Sequence, residues 1–472
     1  MSRKGRRQKP LTKSILPFLK LTGDDAGKER YLAFLGQIPN IAKEQEKEGL
    51  NPIVLIFTPT SWLIPRPTYE GFREIWDKYF RFHSGFLTTS NEFFKIDGRW
   101  PLAFTIWNYE HNEKSKPNIV KVHDLTYLTH SDLHRIDWNQ SDESLNELLN
   151  KSLKKAKKVK LDNSRGNIRD WVGQKMYDFK RDPTKEEKKS GKLFGGLPLK
   201  DERRANKKTY GLTESTFIGF MDDATPVRVK QDSDRRLVNE AKVWFRLDTI
   251  FKDSNKAKCF NGPTDNRSYS GHDLESAKRT FSWFIIAKVL NGIYPLWANQ
   301  YDIWAPNIKP ELEKYWYSLC FAFVLAENRC VVTKFEQDNP VIGAPEIFVD
   351  NPLCPTHAES FWSRTLDKEI VSKPDSARQL VDKVKELYKA WNTKYCKGQW
   401  LQNIGLQNEP YFKYFEYPDF LTPHSGLIQI RKYAENESKA DLLELFSEVS
   451  GLTKKVKEEI YKLLTVEFKY FD

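Results

Sequence analysis

The sequence predicts an α/β region, then a mixed α+β region, then a helical C-terminal segment. The first prediction rests on a helix–strand–helix–strand–strand pattern within residues 24–109. The second rests on residues 190–435, where short apolar and aromatic runs alternate with the turn formers Gly, Pro, Asn and Asp. The third rests on apolar residues at helical spacing in residues 438–466.

In the α/β region, a helix over residues 24–48 precedes the continuous apolar run from Ile53 to Phe57. Such a run with β-branched residues is typical of a strand that is buried on both faces of a sheet. A second helix, from Tyr69 to about Tyr79, places apolar side chains on one face. Further strands are predicted at Phe82–Thr89, Leu102–Tyr109 and Ile119–Val122.

Downstream, helices are predicted over residues 273–290 and 376–391. The C-terminal segment is predicted to be a pair of helices, Asp441 to Val449 and Thr453 to Leu464. The predicted domains are residues 1–135 for the α/β region, 136–190 for a basic helical linker, 191–435 for the α+β domain and 436–472 for the C-terminal helices.

The positive charge of the chain is concentrated in one segment. The formal net charge is +12, and residues 150–210 alone hold 20 Lys and Arg against 8 Asp and Glu, a difference of +12. This excess favours an anionic partner, such as nucleic acid or an acidic membrane surface. Residues 151–160 hold six lysines, which either form a solvated helix or linker or contact phosphates.

Several classes of protein are excluded by composition. The five cysteines form no Cys-x-x-Cys pair, so we expect buried free thiols rather than a disulfide framework or a zinc site. No apolar run reaches the ~18 residues of a membrane span, and no signal-type stretch follows the basic N-terminus. We therefore expect a cytoplasmic protein without a membrane partner.

Three segments carry a family resemblance: the run from Ile53 to Leu63 (IVLIFTPTSWL), then Tyr69 to Arg73 (YEGFR), then Ser84 to Trp107 with its Trp-Pro-Leu-Ala-Phe-Thr-Ile-Trp end. Together they resemble the second half of the catalytic domain in adenine-N6 DNA methyltransferases of restriction–modification systems. The resemblance implies a late sheet strand, the next helix and the closing strand pair of an incomplete Rossmann-like methyltransferase half. Residues 190–435 then stand where such enzymes carry a mixed α+β target-recognition domain.

The chain departs from that family at two motifs. Such enzymes bind S-adenosylmethionine at a glycine-rich turn, where the close cofactor requires Gly, and hold the extruded adenine at an Asn/Asp-Pro-Pro-aromatic turn. Neither motif is present; for example, no Pro and aromatic residue follow Asn339-Pro340 or Asn351-Pro352. About fifty residues precede Ile53, too few for four strands and their helices.

A sheet that lacks its first strands would expose an apolar edge and face. We therefore expect a separate polypeptide to supply the front half of the methyltransferase, or else a poorly stable fragment. S-adenosylmethionine is expected to bind only when that half is supplied, and this chain alone is expected to have no catalytic activity. Its expected role is to recognise double-stranded DNA.

The candidate site residues follow from this hypothesis. In the family, an aromatic residue between the last two strands stacks on the flipped base, and Phe93 and Phe94 hold that position, one for the base and one for the core. Basic residues are expected to contact phosphates or read bases, although each is alternatively a solvated surface charge. The candidates are Lys151, Lys154, Lys155, Lys157, Lys158, Arg203, Arg204, Lys207, Lys208, Arg228, Arg235, Arg236 and Arg267, with Asn266.

Two alternatives stay open. Glu240-Ala241-Lys242, followed by Val-Trp-Phe, resembles half of a metal-dependent nuclease site, in which a carboxylate and a lysine surround a divalent ion. The chain could otherwise be a decayed, inactive fragment. Cleavage lost on Glu240→Ala would indicate the nuclease, and absent DNA binding at low salt would indicate the decayed fragment.

Overall fold

The fold was analysed in a computed structural model. It describes residues 30–64, 69–90, 94, 100–126, 156–162, 166–173, 215–220, 226–230, 243–247, 257–261, 268–298, 304–335, 347–349, 351–371, 375–396 and 422–471. These residues form helices and a mixed sheet, so the α/β prediction is confirmed at that level. The chain divides into two compact units. Unit 1 is Met1–Trp171, Ile293–Ala305 and Tyr470–Asp472, and unit 2 is Val172–Gly292 and Pro306–Lys469.

Unit 1 contains a five-stranded sheet that confirms the four predicted strands. The strands are β1 (Ile53–Pro59), β2 (Phe80–Thr89), β3 (Pro101–Tyr109), β4 (Ile119–Asp124) and β5 (Lys157–Asp162). Their order is β1-β3-β2-β4-β5. β3 runs antiparallel to both neighbours, so β1 and β2 run in the same direction, and β4 pairs with β2 in parallel and with β5 in antiparallel orientation.

The helices of unit 1 are α1 (Arg30–Leu35), α2 (Ile38–Lys47) and α3 (Glu70–Tyr79), and α4 (Ile168–Val172) lies in unit 1 except for its last residue. The single helix predicted over residues 24–48 is therefore divided where it is described. Gly36 and Gln37 form a turn after α1, and Pro39 lies in the first turn of α2. Proline fits there because its missing N–H would have no helical acceptor.

An aromatic cluster holds α3 against the covered face of the sheet. The ring centroids of Trp62 lie 5.4 Å from those of Phe72 and 5.5 Å from those of Trp76, and the Trp76 and Trp107 centroids are 5.6 Å apart. The indole N–H groups of Trp62 and Trp107 donate to the hydroxyls of Thr58 and Thr105. Burial of these rings and pairing of two of their polar groups fix the helix on the strands.

A buried polar network joins α3 to the start of β4. Asn118 donates its side-chain amide to Oδ1 of Asp77 at 2.6 Å and to the carbonyl of Phe80 at 2.9 Å. Its Oδ1 accepts the main-chain N–H of Phe82 at 2.9 Å. Burial raises the pKa of Asp77, while the hydrogen bonds from Asn118 and the cations of Arg73 and Arg81 oppose that shift.

The lysine-rich segment predicted to be a helical linker is a strand where the structure describes it. β5 pairs with β4 in register from Lys157 opposite Asp124 to Asp162 opposite Ile119. Val159 and Leu161 are buried, a spacing of two that suits a strand and not a helix. Pairing with β4 outweighs the helical preference of the lysines, so residues 157–162 belong to the sheet of unit 1.

Unit 2 is mixed α/β, and its helices confirm the predictions at residues 273–290 and 376–391. Its helices are α5 (Leu274–Val289), α6 (Glu313–Glu327), α7 (Ser376–Lys394), α8 (Leu427–Asn436) and α9 (Ala440–Lys462). Its described strands are β6 (Ser215–Phe220), β7 (Pro226–Lys230), β8 (Val243–Arg246), β9 (Lys258–Phe260), β10 (Ser268–Gly271), β11 (Thr333–Phe335) and β12 (Ile347–Val349). Three of them form a sheet with the order β10-β8-β9, and the others form two pairs, β6 with β7 and β11 with β12.

The core of unit 2 is centred on α5 and α6, which are buried on nearly every side. The rings of Phe281 and Phe321 meet edge to face with centroids 5.5 Å apart, and the indole N–H of Trp316 donates to Ser282 Oγ at 2.8 Å. The burial of α5 and α6 on nearly every side explains why these two helices show little amphipathic pattern.

At the surface of unit 2, Asp441 of α9 accepts hydrogen bonds from Lys394 and Tyr395.

α9 is one continuous helix, so the predicted pair of C-terminal helices is wrong. In the sequence, Ser450-Gly451 suggests a boundary between two helices. In the structure, Gly451 is a solvent-exposed position in the middle of one helix. Apolar positions continue across it on one buried face, at Leu442, Phe446, Val449, Val456 and Ile460. Burial of that face outweighs the cost of one glycine.

Among the described helices, none is long and apolar enough to cross a membrane.

The cysteines are free thiols, as predicted. Cys259, Cys320, Cys330 and Cys354 are buried and Cys396 is partly buried. Burial raises the pKa of Cys320 and also that of Cys259, to which Cys330 adds a further increase. A buried thiol with a raised pKa behaves as a small apolar side chain and not as a nucleophile.

Candidate functional site: the open face of the five-stranded sheet

β1 lies at one edge of the sheet and exposes one of its two faces. Ile53, Leu55 and Phe57 are 59%, 61% and 42% exposed, whereas Ile56 and Thr58 on the other face are buried. The prediction that this strand is buried on both faces is therefore wrong. α3 and the aromatic cluster cover the inner face, and no described part of the chain encloses the outer one.

The exposed row on β1 continues across the sheet. Leu55 stands opposite Ile106, Phe57 opposite Phe104, and Phe104 opposite Phe86, and residues opposite each other in a sheet share a face. The rings of Phe86 and Phe104 stack with centroids 5.3 Å apart, and both are partly exposed. We call the set Ile53, Leu55, Phe57, Phe86, Phe104 and Ile106 the open apolar face.

The same side of the sheet becomes basic beyond β2. His123 of β4 stands opposite Lys158 of β5, and Lys121 stands opposite Lys160. Lys121 and Lys158 are exposed and Lys160 is partly exposed. Of the predicted phosphate contacts, Lys158 lies in this row, while Lys157 is exposed at the start of the strand. The sequence does not single out Lys121, because only strand pairing brings it beside β5.

The loop between β2 and β3 presents one of the two predicted stacking residues. Ser90 and Trp100 close its base: the Ser90 N–H donates to the Trp100 carbonyl at 2.8 Å and the Trp100 N–H donates to Ser90 Oγ at 3.1 Å. The Phe94 N–H donates to the Ser90 carbonyl at 2.9 Å, and its side chain is 53% exposed. Phe93 lies outside the described residues.

The other predicted site residues are placed only in part. Arg228 lies on β7, opposite Phe217 of β6. The possible nuclease pair, Glu240 and Lys242, lies outside the described residues, and the described ranges contain no group of three or more His, Cys, Asp or Glu that could hold a metal ion. Also outside them are Lys151, Lys154, Lys155, Arg203, Arg204, Lys207, Lys208, Arg235, Arg236, Asn266 and Arg267.

The geometry therefore combines the open apolar face, a basic flank and an exposed ring on a loop whose base is closed by hydrogen bonds. Comparisons with protein-family models, curated proteins and solved structures find no match to this chain. The residues themselves carry the case for a function.

Proposed function

We propose that this chain is the DNA-recognition portion of an adenine-N6 DNA methyltransferase, and that a second polypeptide completes its sheet at β1. The observation that carries the proposal is the exposed row Ile53, Leu55 and Phe57 on an edge strand. Edge strands offer main-chain groups for pairing, and a contiguous exposed apolar surface is typical of a protein interface. An incomplete Rossmann-like half would have both properties, because the missing strands and helices would lie against its edge strand, here β1.

The arrangement of the three family-like segments also supports the proposal. The first segment forms β1 and the turn with Trp62, the second begins α3, and the third forms the hairpin of β2 and β3. Trp62, Trp76 of α3 and Trp107 of β3 pack on one another. The segments thus share one core, as the late strand, the next helix and the closing strand pair of one domain would.

The proposal divides the chemistry between two polypeptides. The partner would hold S-adenosylmethionine at its glycine-rich turn and the target amine at its Asn-Pro-Pro-aromatic turn. This chain would grip duplex DNA through its basic residues, Lys158 among them, and would offer the Phe94 ring to the extruded adenine. Stacking offsets part of the few kcal/mol that base extrusion costs.

The test is reconstitution with the polypeptide encoded immediately upstream, provided that it carries both missing motifs. We expect the chain alone to bind duplex DNA without binding S-adenosylmethionine, and the mixture to methylate adenine. Leu55→Glu with Phe57→Glu should weaken the complex at least about tenfold, because two charges would be buried in an apolar interface. The chain's own DNA affinity should not change.

Val466→Glu is the matched control, since Val466 is an equally exposed apolar residue on unit 2. Tight binding of S-adenosylmethionine by the purified chain would contradict the proposal. So would a complex that tolerates Leu55→Glu with Phe57→Glu as well as it tolerates Val466→Glu. Calorimetry measures both interactions, and transfer of a labelled methyl group measures activity.

A further inference from the structure

We propose that a cavity in unit 2 binds a phosphoryl group. The cavity has a volume of about 290 Å³ and lies among β9, the ends of α5 and α6, and the facing sides of α8 and α9. Four cationic side chains line it, against the single carboxylate of Glu327. The cations are Lys258, Lys288, Arg329 and Arg431. Four positive charges and one negative charge leave a formal charge of +3 on the lining, which an anionic ligand would neutralise.

The cations converge from four different parts of unit 2. Lys288 is in the last turn of α5, and Arg329 follows the end of α6 by two residues. The carbonyl groups at helix C-termini attract cations, which explains these two positions. That effect does not explain Lys258 on β9 or Arg431 on α8, because neither lies at a helix C-terminus.

Aromatic rings hold three of these cations. The Arg431 guanidinium carbon is 4.9 Å from the Phe446 ring centroid, the Lys288 Nζ is 5.6 Å from that of Phe284, and the Arg329 guanidinium carbon is 5.9 Å from that of Phe260. A ring contact positions a cation without accepting its N–H groups in the manner of a carboxylate. The Lys288 amine and the Arg431 guanidinium, positioned in this way, can donate to the acceptor oxygens of a ligand.

The other cations of the cluster disfavour the protonated form of Lys288. Burial is the largest cause that lowers the pKa of Lys288, and the charges of Lys258, Arg329 and Lys457 lower it further, whereas Glu327 raises it. A bound anion would act in the same direction as Glu327 and favour the protonated amine. The site is therefore electrostatically complementary to a negative group.

The size of the cavity and the residues that line it indicate the class of anion. Ligand pockets usually measure about 300–1,000 Å³, so this cavity has room for one phosphoryl group and part of the molecule that carries it. Apolar side chains of Leu427, Ile428, Phe446 and Val449 complete its lining. Two arginines suit the paired oxygens of a phosphate. The phosphate could belong to a DNA backbone or to a free nucleotide, and the site does not depend on the function proposed above.

The experiment titrates the full chain with inorganic phosphate, adenosine monophosphate and a short DNA duplex in a low-salt buffer free of other polyvalent anions. Calorimetry should detect binding of at least one of these probes. Lys288→Gln and Arg431→Gln should each weaken that binding at least about tenfold, because each removes a charge-assisted hydrogen bond. Lys455→Gln removes the same charge from an exposed lysine of α9 that does not line the cavity and should change nothing.

Arg431→Gln keeps the test decisive if Lys288→Gln does not fold, because Arg431 is exposed, and Arg431→Lys should restore part of the affinity. Weakened duplex binding in the cavity variants identifies the DNA backbone, and weakened binding of adenosine monophosphate alone identifies a nucleotide. The inference is overturned if no probe binds, or if both cavity variants behave like Lys455→Gln. Duplex binding overturns this inference alone when the cavity variants weaken the binding of none of the three probes, whereas phosphate binding at the cavity without any duplex binding overturns the proposed function alone.

Discussion

Asp77 shows how one buried carboxylate makes the stability of unit 1 depend on pH. It is 6% exposed, and burial raises its pKa above the ordinary value of about 3.9. The folded protein therefore keeps this proton to a higher pH than the unfolded chain does. Because the folded state then binds more protons, this group lowers the free energy of unfolding as the pH rises above about 4.

Asp77→Asn should remove that pH dependence. The variant keeps an oxygen that can accept the Asn118 amide N–H, and it cannot ionise. We expect its free energy of unfolding to fall less than that of the wild type between about pH 4 and pH 7, as measured by urea denaturation. Asp77→Ala is the control: it deprives Asn118 of an acceptor and should cost about 1–3 kcal/mol across that range. Parallel profiles for the wild type and Asp77→Asn would contradict the assignment.

Two glycines differ in what surrounds them, although both lie near helices of unit 2. Gly451 is inside α9, and a Cβ added there would meet no atom within 4 Å. Gly426 precedes α8, and a Cβ there would collide with the Cys330 carbonyl. No steric contact requires glycine at position 451, whereas Gly426 permits the close approach of two backbone segments.

Alanine at these two positions should have opposite effects. Gly451→Ala should raise the free energy of unfolding by about 0.5–1 kcal/mol, because alanine loses less backbone entropy in a helix. Gly426→Ala should lower it by about 1–3 kcal/mol, because the backbone must move to admit the methyl group. Thermal and urea unfolding measure both. Effects of the same sign would show that α9 does not pass straight through Gly451 or that Gly426 has more room than its surroundings indicate.

Elements with one clear period could be predicted from the sequence, and those governed by distant contacts could not. α3 and α7 follow from apolar residues at helical spacing, and β3 from an apolar, aromatic run. β5 could not be predicted, because its lysines suit a helix until β4 provides a pairing edge. The exposure of one side of β1 could not be predicted either, because a continuous apolar run looks the same whether one face of the strand or both faces are covered.

The site residues divide in the same way. Phe94 could be placed in a loop because its position follows from the two strands beside it. Lys121 and Lys160 are far apart in sequence and stand opposite each other only through the pairing of β4 and β5. The cavity cations Lys258, Lys288 and Arg431 come from three elements, and no local spacing connects them. The tertiary structure, and not the local sequence, brings together the basic residues of β4 and β5 and the cations of the cavity.

For the whole molecule, the proposed DNA binding should respond to salt in a way that the uneven charge determines. The net charge of +12 equals the excess within residues 150–210, and the described part of that segment places Lys157 and Lys158 on β5. Each phosphate that a lysine neutralises releases counterions, so the logarithm of the affinity falls linearly with the logarithm of the salt concentration.

Neutralising both lysines should make that dependence shallower. We expect Lys157→Gln with Lys158→Gln to reduce the salt slope by up to about 2, one for each lost phosphate contact, and to weaken binding evenly across DNA sequences. Fluorescence anisotropy with a labelled duplex at several salt concentrations measures the slope. Lys455→Gln should leave it unchanged. An unchanged slope in the double variant would mean that the start of β5 does not contact the DNA backbone.

If a second polypeptide completes the sheet as proposed, the exposed strand β1 also has a consequence for copies of the chain made without it. Ile53 to Phe57 is an uncharged run of β-branched, aliphatic and aromatic residues, the kind of segment through which molecules pair edge to edge and aggregate. Surplus copies would associate with one another or be removed by chaperones and proteases. Under the proposed function, the amount of active enzyme in a cell would then follow the scarcer of the two polypeptides.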